Sequence, residues 1–365
     1  MTLTIVLLAV AVALAGGYAF RGVLRRTGRG VTPAAPRASP PGTADVAVTV
    51  AGEAAQGSVT ALRAASAEVA ERLWRHAFGA ATPLGGPAAE HAPVYTAVEE
   101  ALQAVQLDPG YLPRRPALIP QLLRASRDVE AGPASLATII SQDPVLAGDV
   151  LRLANSSYYR ITPDPVETVQ RAIVVCGVDG LQGLIATALM RPIFRATGQN
   201  FPRFAPLLWE RSARASAAAE RVAMHFRHED RFEAQLLALL SALGPLAVYR
   251  ATLEQYARLP ELRPSPSLCV RLLSALGPVM AQRIARDWNS SERLVAALDP
   301  AAVEPALPED RALRLALHGG ELLGTLSVLL EENVVIEAES SRIMAKSGLP
   351  EPLTADIWKR LRRGT

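Results

Sequence analysis

Few side chains in this sequence are spaced for chemistry. His225 and His228 stand three residues apart beside Glu229 and Asp230, which is metal-ligand spacing. They read more simply as a solvated helix end, with basic groups facing the carbonyl terminus. Asp143 and Asp149 suggest paired acid–base carboxylates. Asp143, however, precedes Pro144 and suits a helix cap, and Asp149 falls on what reads as the solvated face of the same helix. Cys176 and Cys269, the two cysteines, each sit in an apolar helical pattern and read as buried reduced thiols. His76, His91 and His318 are isolated in sequence. No nucleophile stands with a base, and no glycine-rich loop is built to cradle phosphate. The sequence therefore announces a helical framework more clearly than a reaction.

The framework is organised around residues 139–160, IISQDPVLAGDVLRLANSSYYR. Pro144 suits a first helical position because it has no amide hydrogen to leave unpaired, and Asp143 can accept from the free amides behind it. Leu146, Val150, Leu153 and Ala154 then share one helical face. The helix ends at Asn155-Ser156-Ser157, whose side chains compete for backbone hydrogen bonds, followed by Tyr158 and Tyr159. If the chain offers a recognition surface, Asn155, Ser156, Tyr158 and Tyr159 are its first candidates, because polar groups and amphipathic rings at a helix end suit contacts. The competing reading is that they fasten the inter-helix loop.

Of 365 residues, half are hydrophobic and only 5% aromatic, which favours helices packed closely through small side chains. The net charge is +3, and Arg21, Arg25, Arg26 and Arg29 cluster behind an uncharged run from Thr2 to Phe20. That run has the length to span a bilayer, and the arginines after it place its N-terminus outside and the rest in the cytoplasm. A cleaved signal peptide is the alternative, opposed by the missing basic residues before the run. With those arginines set aside the body is near neutral, which argues against nucleic acid. A Pro-rich spacer follows, then a helical pattern at Ser58–Phe78 whose docking the sequence leaves open. From Val94 the chain reads as helical almost throughout. Breaks are expected at Pro163-Asp164-Pro165, at Gly177 and at Gly319-Gly320, a bend or break after Leu243 because of Pro245, and a helix start at Gly277-Pro278. The basic C-terminal helix reads as a solvated, dipole-matched end, with contact to anionic lipid as the alternative.

The runs YLPRRPALIPQLLRAS, LATIISQDPVLAGDVLRLANSSYYR and VETVQRAIVVCGVDGLQGLIATALM resemble the HDOD family, the HD-related output domains of bacterial signalling proteins. Leu112-Pro113, Pro116, Asp143-Pro144, Leu153-Ala154-Asn155-Ser156, Ala172-Ile173 and Gly177 carry the likeness. It implies an all-α, HD-like multi-helix bundle related to phosphohydrolases but generally lacking their metal centre. At the positions matching the enzymes' ligands this chain has Arg211 in place of a His, and Ser241-Ala242 in place of the His-Asp pair. A guanidinium cannot coordinate a cation, and Ser241 and Ala242 offer neither imidazole nor carboxylate. The expected plan is an anchor (1–24), a linker (25–57), a helical lead-in (58–106), an HDOD domain (107–300) and a helical extension (301–365). The expected function is that of a non-catalytic, membrane-tethered signalling or scaffolding module. It would need no cofactor and would bind a partner protein, with a small regulatory ligand as a further candidate. The alternative is a divergent metal-dependent phosphohydrolase.

Overall fold

The computed structural model describes residues 44–362 except 81–84, 87–88, 105–110, 112–114, 126–135, 139, 141–142, 157–158, 161–162, 195–199, 229 and 302–306, with side chains in the first helix from Val59. The expected anchor at 1–24 and Tyr158 thus lie outside the described residues. By contacts the chain divides into residues 1–48 and 49–365, and the helical bundle is the second of these units. Every described element is a helix, in keeping with the all-α expectation.

In chain order these are α1 (Ala44–Phe78), α2 (Ala92–Gln103), α3 (Ile119–Ala125), α4 (Pro144–Ala154), α5 (Val169–Met190), α6 (Phe204–His225), α7 (Arg231–Ala257), α8 (Pro266–Asp287), α9 (Glu292–Ala297), α10 (Pro308–Glu331), α11 (Glu337–Lys346) and α12 (Glu351–Leu361). α4 starts as its sequence requires. Asp143 Oδ1 accepts from the amides of Val145 at 2.9 Å and Leu146 at 3.1 Å. Leu146, Val150, Leu153 and Ala154 are buried. Asp149 departs from expectation. It is buried and pairs with Arg152 one turn on at 3.2 Å and with Arg191, the residue that follows α5, at 3.3 Å. α5 breaks at Gly177, where φ is +71°, a left-handed conformation that costs glycine little.

α7 is the centre, buried on nearly every side from Phe232 to Tyr256. Its flanks are α6 and α8, and α10 lies across α6. α7 and α10 are long and apolar enough to cross a membrane. Their most apolar windows are 89% and 83% buried in the bundle, so that apolarity goes into the core. α1 docks on the same core. Val59, Leu62, Val69, Leu73, Trp74 and Phe78 are buried, and Phe78 stacks on Phe204 at 5.0 Å.

Two expected helix boundaries, at Gly277-Pro278 and Gly319-Gly320, do not occur, and the chain does not break at Pro245. α7 stays helical through Pro245, α8 runs through Gly277-Pro278, and α10 runs through Gly319-Gly320. A Cβ on Gly244 would stand 2.0 Å from the carbonyl oxygen of Gly277 and 2.6 Å from the amide nitrogen of Ala281. A Cβ on Gly320 would stand 2.5 Å from the carbonyl oxygen of Ala215. These glycines let helix backbones approach, and the packing gained outweighs their poor helix propensity.

Candidate functional site

The polar interior lies between α6, α7 and α10. Arg211 is 4% exposed. Its Nη2 donates to Glu321 Oε1 at 2.9 Å, its Nε donates to Thr325 Oγ1 at 3.1 Å, and its guanidinium carbon lies 5.5 Å from the centre of the Trp74 ring. Ser241 Oγ reaches the same Glu321 oxygen at 2.9 Å. That hydroxyl has one proton for two acceptors, since the carbonyl of Ala238 is also at 2.9 Å. Ser66 of α1 donates to Glu321 Oε2 at 3.2 Å, and His318 Nδ1 lies 3.5 Å from it. Burial would raise the Glu321 carboxyl, but the charge of Arg211, with His318 and Ser241, outweighs it and lowers the pKa to about 2. Glu321 is thus a fixed anion at the centre.

This cluster edges a cavity of about 290 Å³. α1 supplies Arg63, Ala67, Ala70 and Trp74, and α10 supplies Arg314, Leu317 and His318. Pro245 of α7, Leu273 and Ala281 of α8, and Leu298 after α9 give it apolar walls. One nitrogen beside it, Arg211 Nη1, is buried without a hydrogen-bond partner.

A profile of the HDOD domain matches residues 112–301. The chain belongs to the HDOD domain family. Among solved structures, an HDOD domain protein of unknown function from Geobacter sulfurreducens is 17% identical, with a TM-score of 0.50 over 75% of this chain and 90% of its own. A protein from Shewanella amazonensis SB2B, provisionally named a metal-dependent phosphohydrolase, is 16% identical, with a TM-score of 0.51 over 74% of this chain and 97% of its own. At such identities the likeness is one of fold. No curated protein matches the sequence. In the HDOD bundle, two of the three positions singled out from the sequence come together. Arg211 and Ser241 meet on Glu321, while Ala242 is buried in the core beside them.

The residues at this site do not fit a metal ion. The permanently cationic guanidinium occupies the middle and already holds the carboxylate, and the orphaned Nη1 is a donor that calls for an acceptor. The sequence reading missed Glu321 and set His318 aside. A signal was present: Arg314, His318, Glu321 and Thr325 recur at four, three and four residues within a stretch, 312–326, otherwise made of Leu, Ala and Gly.

The expected recognition residues are used differently. Asn155 Nδ2 donates to the carbonyls of Leu151 at 2.9 Å and Val166 at 2.8 Å, and its Oδ1 accepts from the Val166 amide at 2.8 Å. Ser156 donates to the Leu153 carbonyl at 2.6 Å. Tyr159 is buried, with its hydroxyl 3.2 Å from Thr187 Oγ1. These three fasten the α4–α5 connection, Tyr159 from within the core and Asn155 and Ser156 from half-buried positions. His228, expected in solvent, is buried with Nε2 3.4 Å from Glu233, and His225 packs against the edge of Phe226. Burial pushes the Cys269 thiol up to about 12 and the Cys176 thiol to about 11, so neither is a thiolate nucleophile at neutral pH.

Proposed function

We propose that this protein is a non-catalytic signal-transduction or scaffolding module. Its HDOD bundle binds a partner protein in the bacterial cytoplasm, and the apolar segment at residues 2–20, followed by four arginines, holds it at the inner membrane with the N-terminus outside. One observation carries the non-catalytic part. At the position that the family resemblance matches to a metal-binding His of HD hydrolases, this chain carries an arginine paired with a buried glutamate. Membrane attachment rests on the sequence pattern of residues 2–29. The rival reading, a metal-dependent phosphohydrolase, draws on the provisional name of the Shewanella protein.

The test uses the full-length protein. Elemental analysis should find Fe, Mn and Zn well below one per chain, and phosphomonoesters and phosphodiesters should remain intact. Stoichiometric metal together with turnover would establish the phosphohydrolase. In fractionated cells the full chain should sediment with membranes, and a chain lacking residues 1–24 should not. Equal partitioning of the two would remove the anchor.

A further inference from the structure

We propose that the cavity beside Arg211 is a binding site for a small carboxylic acid with an apolar body. The site deepens the non-catalytic reading, on which it rests, by naming the class of ligand the bundle would take. The argument starts from charge. Three guanidinium groups line the cavity, from Arg63, Arg211 and Arg314, against two carboxylates, Asp299 and Glu321. Among the described lining residues the guanidinium and carboxylate charges sum to +1, which disfavours a cation.

Next comes the unmet bond. Arg211 is 4% exposed and satisfied at Nε and Nη2, yet its Nη1 has no partner. A buried donor left unsatisfied is costly, and a ligand acceptor is the group that removes the cost. The walls decide the rest of the ligand. Ala70, Leu273, Leu298 and Leu317 are apolar, and about 290 Å³ admits a body the size of a benzene ring or a short alkyl chain. Glu321 decides the headgroup. It is a fixed carboxylate bonded to the same guanidinium, so a dianion such as phosphate meets stronger repulsion than a monoanionic carboxylate.

The site is placed to transmit its occupancy. Ser66, Ala67, Ala70 and Trp74 of α1 form one wall, and Ser66 is bonded to Glu321 itself. A ligand acceptor on Arg211 bears on the same carboxylate that ties α1 to α10.

The experiment titrates the full-length protein with benzoate and hexanoate, following thermal unfolding and tryptophan fluorescence. Benzamide and inorganic phosphate serve as controls. A carboxylate should raise Tm by about 4 °C at saturation, while benzamide and phosphate at equal concentration should not. Two variants should abolish the shift. Ala67→Trp blocks the exposed rim without touching the core, and Arg211→Met with Glu321→Met removes the pair without stranding a charge. No carboxylate shift in the wild type, an equal shift with phosphate, or an undiminished shift in Ala67→Trp would each overturn the assignment. Metal content of the same sample tests the non-catalytic reading separately, so the two can fail independently.

Discussion

At the residue scale the decisive pair is Arg211 and Glu321. A buried ion pair is worth little against well-packed apolar residues, but breaking one side strands the other charge. Arg211→Met should therefore lower stability by about 3–5 kcal/mol in denaturant unfolding. The double change Arg211→Met with Glu321→Met should cost less than either single change, and additive losses would show that the two groups do not interact. Acid should find the same pair. The Glu321 pKa of about 2 lies below its ordinary value of 4.5, so its contribution is complete above pH 4.5 and is lost as pH falls toward 2. That contribution is on the order of 3 kcal/mol. Glu321→Gln should accordingly flatten the pH dependence of Tm across this window relative to the wild type.

At the element scale the fold depends on close backbone approach between helices. Gly324 makes the point: a Cβ there would stand 2.6 Å from the amide nitrogen of Ala215 on α6. Gly320→Ala and Gly324→Ala should each destabilise by about 1–3 kcal/mol, although alanine is the better helix former. Gly148 on α4 has open space where its Cβ would be, so Gly148→Ala should stabilise by about 0.5–1 kcal/mol. Thermal unfolding of the three variants checks the opposite signs, and a stabilising Gly320→Ala would refute the packing argument.

At the scale of the whole molecule, the segment matched by the family and the folding unit are not the same. The HDOD match ends at residue 301, yet α10 begins at Pro308 and supplies Glu321, Thr325 and the apolar side chains of Leu313, Leu322, Leu326 and Leu329 to the common core. At the other end α1 seals the interior through Trp74 and Phe78. A chain ending at residue 301 should therefore lose its cooperative unfolding transition in calorimetry, because α6 would expose the face that α10 covers. A sharp transition in the shortened chain would show that the matched segment folds without α10.

The sequence by itself determined the local structure: the Asp143-Pro144 start of α4, the apolar face behind it, the turn at Gly177, the all-helical class and the HDOD likeness. These are readings of spacing and of each residue's own chemistry, which need no knowledge of neighbours. Only the tertiary structure decided that Gly320 and Pro245 lie within continuous helices, that Asn155 ties the end of α4 to Val166 and Tyr159 is buried, and that Glu321 is the partner of Arg211. A glycine weakens a helix that stands alone, but it allows two helices to touch. Likewise, the charge that balances Arg211 lies 110 residues away, at a distance that periodicity within one helix does not reach.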